Sequence, residues 1–271
     1  MNFNETLNIK YSSFIGKNIL FGNNAQLKSK DLWKKFVNVF RNKEDELDKG
    51  WRCEYFGKMM RAACFVYFYS NDNELYEILE DAIIDLLSTQ DELGRITSYK
   101  NEFQGWDMWG RKYIISSLLY FYKISSNNLL KAKIIDAVRK HADYIVNKIG
   151  PNKDQKGILE TSNIWGGLNS ASICETFVDL FNVTNDKKYL NFAKYIISTG
   201  GCLNANLVQL AYENKLAPYE YPVTKAYEMM SCFEGLLEYY RVTHETKYLN
   251  AVINFVNKIH LIEIRLSKKT L

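Results

Sequence analysis

The sequence has few of the residues that mark disordered, β-rich or membrane-spanning chains. Only three prolines and fourteen glycines occur in 271 residues, which argues against low-complexity disorder and against a turn-rich β-sandwich. No apolar run approaches the roughly 18 residues of a membrane span, and the N-terminus lacks the basic and apolar regions of a secretory signal. These absences predict an ordered globular protein, which we place in the cytoplasm, with no membrane partner.

Cysteine and histidine are also scarce. The five cysteines are widely scattered and form no Cys-x-x-Cys pair, so we expect reduced and mostly buried thiols. The three histidines do not show the spacing of metal ligands, and no metal site is predicted in this chain. The sequence also contains no phosphate-binding loop, dinucleotide-binding glycine motif or nucleophile elbow.

The net charge of the chain is small. The 35 Lys and Arg residues and the 31 Asp and Glu residues give +4, and the two signs are interleaved throughout. A nucleic-acid-binding protein should instead carry a basic stripe on one face. The charge pattern therefore predicts no nucleic-acid partner.

Four segments repeat one pattern, in which an apolar helix end is followed by a short polar turn and a second, amphipathic helix. The hydroxyl residues that mark the turns are spaced 55, 59 and 59 residues apart: Ser70, Ser125, Thr184 and Thr243. Similarity at a nearly fixed period is the signature of a repeat architecture. The Ser, Thr, Asn and Asp side chains of the turns are expected to end one helix and to cap the next.

The two helices of each repeat differ in their apolar pattern. The first helix is apolar nearly all round, whereas the second has one apolar face. In the first repeat that face comprises Leu75, Ile78, Leu79, Ala82, Ile83 and Leu86, and in the last repeat Tyr248, Leu249, Val252, Ile253, Val256 and Ile259. Two concentric helical layers satisfy both patterns, which predicts an all-α fold of the α/α-toroid type. A linear helical solenoid is the competing arrangement, and strand-like sequence is limited to residues 94–99 and 261–266.

Aromatic and charged residues gather where the first helix of each repeat begins. Four of the five tryptophans lie in these clusters. If the helices run in the same direction, their N-termini converge on one mouth of the toroid. Tryptophan rings stack on sugar rings and charged groups bind hydroxyls, so the clusters predict a carbohydrate site. The candidate substrate contacts are Trp51, Trp106, Trp109, Arg111, Trp165, Lys225 and Glu228.

Glu54 and Asp107 are the candidate catalytic residues. Hydrolysis of a glycosidic bond needs two carboxylates that flank the glycosidic oxygen. Simpler interpretations exist for the same residues. The tryptophans could pack the core, the acids could be favoured by the helix dipole, and Glu54 could form an intrahelical ion pair with Lys58.

Three longer motifs span the starts of the first helices. They are Trp51-Arg52-x-Glu54-Tyr55-x-Gly57-Lys58, Gly105-Trp106-Asp107-x-Trp109-Gly110-Arg111-Lys112-Tyr113 and Lys225-Ala226-Tyr227-Glu228-Met229-Met230-Ser231-Cys232. These motifs resemble glycoside hydrolase family 127, the β-L-arabinofuranosidase-like family, and the resemblance extends from about residue 40 to about residue 259. It implies a six-hairpin glycosidase, an (α/α)6 barrel, that acts on a plant- or bacterial-type glycan.

The resemblance also implies chemistry that this chain does not carry. The family has a cysteine nucleophile held on zinc by a Glu-x-Cys motif and further cysteines, and a separate glutamate acid/base. All of these follow the Lys225–Glu228 motif, and no cysteine here matches the nucleophile. Zinc is therefore expected only for the full-length family, and whether this chain alone is active is left open.

We accordingly expect a barrel that is incomplete at its C-terminus. Residues 1–40 would form an N-terminal segment and first helix, residues 41–259 a partial barrel domain of catalytic type, and residues 260–271 an aberrant tail. The uncovered edge of the barrel is expected to promote self-association.

Two other functions stay open. An unsaturated-uronyl hydrolase of the same barrel class would use an acid such as Asp107, whereas an epimerase would need a histidine at the mouth. A non-catalytic helical-repeat module would bind carbohydrate or protein. Such a module would pack the tryptophan clusters inward and leave no concave polar pocket.

Overall fold

The computed structural model describes residues 10–267 and confirms the all-α class. Within that range the α-helices are α1 (Ser13–Gly22), α2 (Lys30–Asn42), α3 (Arg52–Ser70), α4 (Asn73–Leu87), α5 (Asp107–Ile124), α6 (Asn128–Lys148), α7 (Leu168–Ala171), α8 (Cys174–Thr184), α9 (Lys187–Ser198), α10 (Leu207–Glu213), α11 (Ala226–Thr243) and α12 (Thr246–Ser267). A π-helical turn (Asn23–Leu27) follows α1, and short 3-10 turns lie at Ile158–Thr161, Ile164–Gly167 and Pro218–Glu220. No helix in the described part of the chain is both long enough and apolar enough to cross a membrane.

Strand structure is limited to one short antiparallel pair, β1 (Gly201–Cys202) and β2 (Ala205–Asn206), in the described residues. Of the two strand-like stretches of the sequence, residues 94–99 form no strand, and Tyr99 makes only a single bridge with Asp45. The strand-like stretch at residues 261–266 continues α12 instead. The predicted tail thus begins inside a helix, and its residues 268–271 lie outside the described residues.

The chain divides into two compact units. The first unit comprises Met1–Glu102 and Gly110–Ile145, and the second comprises Phe103–Trp109 and Val146–Leu271. Helix α5 begins in the second unit and continues in the first. The domain limits predicted at residues 40 and 259 fall inside these units, and closure of the helices into a barrel stays a prediction.

Each of the four predicted hairpin turns contains the same hydrogen bond. The Ser or Thr that marks the repeat accepts from the backbone N–H two residues later. This bond competes with continuation of the first helix. The donor–acceptor distances are 3.3 Å from Asp72 to Ser70, 3.2 Å from Asn127 to Ser125, 3.3 Å from Asp186 to Thr184 and 3.4 Å from Glu245 to Thr243.

The turns then start the second helix of each hairpin. Asp72 Oδ1 accepts from the N–H of Leu75 at 3.1 Å, which caps α4. Asn127 and Asp186 occupy the equivalent positions and cap α6 and α9. Asn127 accepts from the N–H three residues later and Asp186 from the N–H two residues later, each at 3.1 Å. The capping predicted from the polar turns is therefore confirmed in three of the four hairpins.

One part of the core of the first unit lies between α2, α3 and α4. All six apolar residues predicted to form one face of α4 are buried, from Leu75 to Leu86. Phe56 of α3 forms edge-to-face contacts with two rings of α2. Its ring centroid lies 5.6 Å from that of Trp33 and 5.8 Å from that of Phe40. The 3.6-residue period of α4 was thus sufficient to identify its buried face.

The core of the second unit is built by α8, α9, α11 and α12. Phe233 of α11 stacks on Phe255 of α12, with ring centroids 3.9 Å apart. This contact turns the face of α12 that carries Ala251 and Phe255 inward. Ile253 and Val256, predicted to lie on the buried face, are instead 45% and 53% exposed.

His141 connects α6 to the segment that precedes α5 in the first unit. Its side chain is buried, and Nδ1 accepts from the backbone N–H of Ile96 at 2.9 Å. Burial lowers the pKa of His141 well below its ordinary value, and the positive charge of Arg111 acts in the same direction. The imidazole is therefore neutral in the folded protein.

We expect Asp72→Ala to destabilise the protein more than Asp186→Ala, although both residues occupy the same place in the repeat. Asp186 caps α9 at the surface, and its ion pair with Lys188 at 3.4 Å is largely solvent-exposed and adds little, so its loss should cost about 1 kcal/mol. Asp72 additionally accepts from Asn23 Nδ2 at 2.8 Å and pairs with Lys28 Nζ at 2.7 Å, which should raise the loss to about 2 kcal/mol. Urea unfolding of the two variants measures both losses. Equal losses would contradict the extra role of Asp72.

His141 should make stability depend on pH below its ordinary pKa. The folded protein keeps the imidazole neutral, whereas the unfolded chain binds a proton below about pH 6.5, so the free energy of unfolding falls as the pH falls. Between pH 6.5 and 5 we expect the native protein to lose about 1–2 kcal/mol more than the His141→Gln variant. Unfolding midpoints measured across this range test the expectation, and parallel curves for the two proteins would refute it.

Candidate functional site

The nine predicted site residues are distributed over both units. The first unit contains Trp51, Glu54 and Arg111. The second unit contains the other six on three segments: the start of α5 (Trp106, Asp107, Trp109), the turn before α7 (Trp165) and the start of α11 (Lys225, Glu228).

Four aromatic rings of the second unit form one cluster. The ring of Trp106 lies 5.4 Å from that of Trp165 and 5.7 Å from that of Trp109, and Trp109 lies 5.5 Å from Tyr227. All three contacts are edge-to-face, the geometry that aromatic rings prefer. Trp106 and Trp109 are only 8% and 1% exposed, whereas Trp165 is half-buried. The two buried rings therefore support Trp165, which reaches the surface.

Trp165 is held in an unusual backbone conformation. Its φ angle is 46°, and those of Gly166 and Gly167 are 63° and 82°, so three successive residues are left-handed. A bulky side chain in this region is strained, and such strain clusters at functional sites. Only glycine fits at position 167, because a Cβ there would lie 2.3 Å from the carbonyl oxygen of Leu159. The N–H of Leu203 also donates to the carbonyl oxygen of Gly166 at 2.8 Å.

Two wholly buried polar residues fix the backbone that precedes α5. Asp107 Oδ2 accepts from the N–H of Phe103 at 2.9 Å, and Asn169 Nδ2 donates to the carbonyl oxygen of Gly105 at 2.8 Å. Together they hold the turn that carries Trp106. The carboxylate of Asp107 has no exposed surface. Its catalytic role stays a prediction.

A recess of about 410 Å³ opens beside Trp165 in the second unit. Its lining residues are Trp165, Asn204, Pro222, Val223, Thr224 and Lys225. The Nζ atom of Lys225 lies 4.7 Å from the centroid of the Trp165 ring, which is cation–π distance. Lys225 is exposed, whereas Glu228, one turn further along α11, is buried. The recess therefore combines an aromatic wall with an accessible positive charge.

In the first unit, the start of α3 is organised by Asp45, which the sequence did not single out. Its buried carboxylate accepts from the N–H of Arg52 at 2.9 Å, from Arg52 Nε at 2.8 Å and from Ser98 Oγ at 2.6 Å. Trp51 lies directly before α3 with a left-handed φ of 53°. Helix-capping patterns in a sequence involve residues next to the start of the helix, whereas Asp45 lies seven residues before α3. For this reason the sequence pattern did not reveal Asp45.

Glu54 forms the ion pair that the simpler interpretation predicted. Its Oε1 lies 2.5 Å from Nζ of Lys58, one turn further along α3, and that ammonium group is also 5.1 Å from the centre of the Tyr113 ring. The side chain of Glu54 is only 13% exposed. In this conformation the carboxylate is already occupied by Lys58.

Arg111 belongs to a charged network in the first unit. Its wholly buried guanidinium donates from Nη2 to Glu102 Oε2 at 2.9 Å, and Glu102 also accepts from Arg95 and from the Tyr144 hydroxyl. Burial and the negative charge of Glu102 both raise the pKa of Tyr144. The side chain of Arg111 does not reach the surface. Its contact with substrate stays a prediction.

The side chains of the described residues do not fit a zinc ion. No three His, Cys, Asp or Glu side chains come together as metal ligands in this part of the chain. All five cysteines have free thiols, and burial raises the pKa of the Cys64 thiol. No catalytic step through zinc is therefore assigned to these residues, and the zinc expected for the full-length family stays a prediction.

One protein family matches most of the chain. The family model described as "Beta-L-arabinofuranosidase, GH127 catalytic domain" matches residues 16–261. No curated protein matches the sequence.

Several solved structures share the fold of this chain. A GH127 beta-arabinofuranosidase aligns with a TM-score of 0.68 and 16% identity, over 93% of this chain and 42% of its own. Ara127N-Se, a GH127 beta-L-arabinofuranosidase from Geobacillus stearothermophilus T6, gives 0.68 and 15%, over 93% and 45%. A third structure, titled a glycoside hydrolase, gives 0.54 and 15%, over 84% and 35%. The chain thus spans less than half the length of these proteins.

Asp107 should act through its acceptor oxygen rather than through its charge. Asp107→Ala leaves the N–H of Phe103 without this acceptor, so we expect a loss of about 1–3 kcal/mol in the free energy of unfolding. Asp107→Asn keeps an acceptor oxygen at the same place and should lose less than half as much. Urea unfolding followed by tryptophan fluorescence gives both values. Equal losses in the two variants would contradict this positioning role.

Proposed function

This chain belongs to the GH127 β-L-arabinofuranosidase catalytic-domain family, and from that membership we propose that it takes part in the hydrolysis of glycosidic bonds in glycans. The substrate class that we infer is a glycan with terminal L-arabinofuranosyl groups, because the similar protein Ara127N-Se is a beta-L-arabinofuranosidase. Within this proposal the second unit supplies a sugar-binding subsite, the recess beside Trp165.

The observation that carries the subsite is the presentation of the Trp165 ring. The left-handed turn at residues 165–167 holds the ring at the surface, and Trp106 supports it from behind at 5.4 Å. An aromatic ring that is half-buried and backed by other rings offers a rigid apolar face to the C–H groups of a sugar. The amide of Asn204 and the hydroxyl of Thr224 lie in the same recess and supply hydrogen-bonding groups for sugar hydroxyls.

The predicted catalytic carboxylates take other roles in this proposal. Asp107 positions the turn that carries Trp106, through the hydrogen bond from Phe103. Glu54 is held by Lys58 in a 2.5 Å ion pair. A carboxylate paired in this way is better suited to accept a hydrogen bond from a substrate hydroxyl than to act as a general acid. Neither residue is required to be the proton donor.

The family match favours a glycoside hydrolase over the alternative functions. Inward packing of Trp106 and Trp109 is what a non-catalytic module would show, but such a module would lack the recess beside Trp165. Asp107, on which the uronyl-hydrolase alternative depended, is buried and engaged by Phe103. The recess beside Trp165 thus counts against the non-catalytic module, and the burial of Asp107 counts against the uronyl hydrolase.

The proposal includes three further features of the whole protein. We infer that the helical hairpins belong to a six-hairpin barrel, as in the family that the sequence resembles. Free thiols at all five cysteines are typical of a reducing compartment and support a cytoplasmic location. Exposed apolar side chains on α12, Ile253 and Val256, support self-association.

Binding of a neutral arabinofuranoside tests the subsite. We expect Trp165→Ala to weaken binding of 4-nitrophenyl β-L-arabinofuranoside at least about tenfold, because loss of a central aromatic contact costs roughly 1.4 kcal/mol or more. Calorimetric titration measures the affinity, and release of nitrophenol measures hydrolysis.

Tyr212 provides the matched control. It lies in the same unit, is exposed, and is paired with Lys247 at 5.8 Å, but it does not line the recess. Tyr212→Ala should bind the glycoside as the native chain does. Unchanged binding in Trp165→Ala, or no binding by the native chain, would refute the subsite.

A further inference from the structure

We propose that the recess beside Trp165 selects acidic saccharides, with the carboxylate of a uronate bound by the ammonium group of Lys225. The proposal rests on the assignment of this recess to sugar binding, and it adds the charge of the sugar that the recess prefers. It makes no claim about the bond that the enzyme hydrolyses. The residues that form the recess all belong to the second unit.

The position of the Lys225 ammonium group is restricted by the aromatic wall. Nζ lies 4.7 Å from the centroid of the Trp165 ring, and that ring is fixed by the left-handed turn and by Trp106. A lysine side chain normally loses much rotational freedom when it binds an anion. The cation–π contact removes part of that freedom before the ligand arrives, so the charge is partly preorganised at the wall of the recess.

Lys225 has no acidic partner among the described residues. Lys58, which also approaches an aromatic ring, has its charge matched by Glu54, and Lys188, over Tyr189, is paired with Asp186. No such ion pair is formed by Lys225 within the described part of the chain. The charge of Lys225 is therefore available to an anion from solution.

The remaining groups around the recess do not cancel this charge. The other lining residues, at positions 165, 204 and 222–224, are neutral. The nearest acids in sequence are Glu220 and Glu228. The carboxylate of Glu220 accepts from the N–H of Ala217 at 2.7 Å, and Glu228 is buried in the first turn of α11. The accessible charge in the recess is consequently positive.

A uronate matches this arrangement better than a neutral sugar does. The apolar face of its ring can lie on Trp165, its hydroxyls can bind Asn204 and Thr224, and its carboxylate can accept from Lys225. A charge-assisted hydrogen bond is stronger than a neutral one. Lys225 is exposed, so solvent and salt weaken the interaction, and we expect a moderate preference that depends on ionic strength.

Calorimetric titration with three matched disaccharides tests the proposal. The ligands are digalacturonate, its dimethyl ester and galactobiose, of which only the first is charged. At low salt, digalacturonate should bind about five- to tenfold more tightly than either neutral disaccharide. At roughly 0.5 M salt the difference should fall below about twofold, because salt screens the exposed charge.

Variants of Lys225 identify the group responsible. Lys225→Met keeps an apolar chain against Trp165 without the charge, and it should bind all three disaccharides equally. Lys225→Arg retains a cation that packs on an aromatic ring and should keep the preference. Lys247→Met removes the equivalent charge from Tyr212, outside the recess, and should change nothing.

The outcomes separate this inference from the proposed function. Equal affinity of the native chain for all three disaccharides, or a preference that persists in Lys225→Met, would overturn the acidic preference. In that case, loss of arabinofuranoside binding in Trp165→Ala would support the sugar subsite without the acidic preference. Failure of every saccharide to bind would overturn both.

Discussion

A single hydrogen bond, from a backbone N–H to the hydroxyl of the residue two positions earlier, defines all four hairpin turns of this chain. It diverts the backbone from the first helix, and in three turns the next polar side chain caps the second helix. Because the turns recur at nearly constant spacing, the helical hairpins recur as well. The aromatic and charged clusters lie at the opposite end of the first helix of each hairpin, so they recur with a similar period.

Folding uses most of the polar groups in these clusters for structure. Asp45 and Asp107 accept backbone hydrogen bonds, Glu54 pairs with Lys58, and Arg111 is buried against Glu102. A buried polar group must be paired, since an unpaired one is costly. In the second unit, Trp165 and Lys225 are the predicted site residues that still reach solvent. The candidate subsite is therefore what remains accessible after the helix starts have been stabilised.

Local patterns in the sequence were reliable where one interaction dominates. The all-α class, the four hairpins and the buried face of α4 were predicted correctly, because each depends on helical period or on turn chemistry within a few residues. The family resemblance was confirmed by the match over residues 16–261, since its motifs are long and specific. The prediction that was wrong, the buried face of α12, depends on a contact distant in sequence, because Phe233 sets the orientation of that helix. The strand-like stretch around Ile96 forms no strand, and His141 holds its backbone.

The sequence by itself determined which residues start the helices, where the turns lie and which residue types meet at the candidate site. It did not determine which of them are exposed. Trp106 and Trp165 look equivalent in sequence, yet the first is buried and the second forms the wall of a recess. Tertiary structure determines this difference, because the left-handed turn at residues 165–167 packs against Leu159 and accepts a hydrogen bond from Leu203. Exposure depends on every element that packs around a residue, and a local pattern records only its neighbours along the chain.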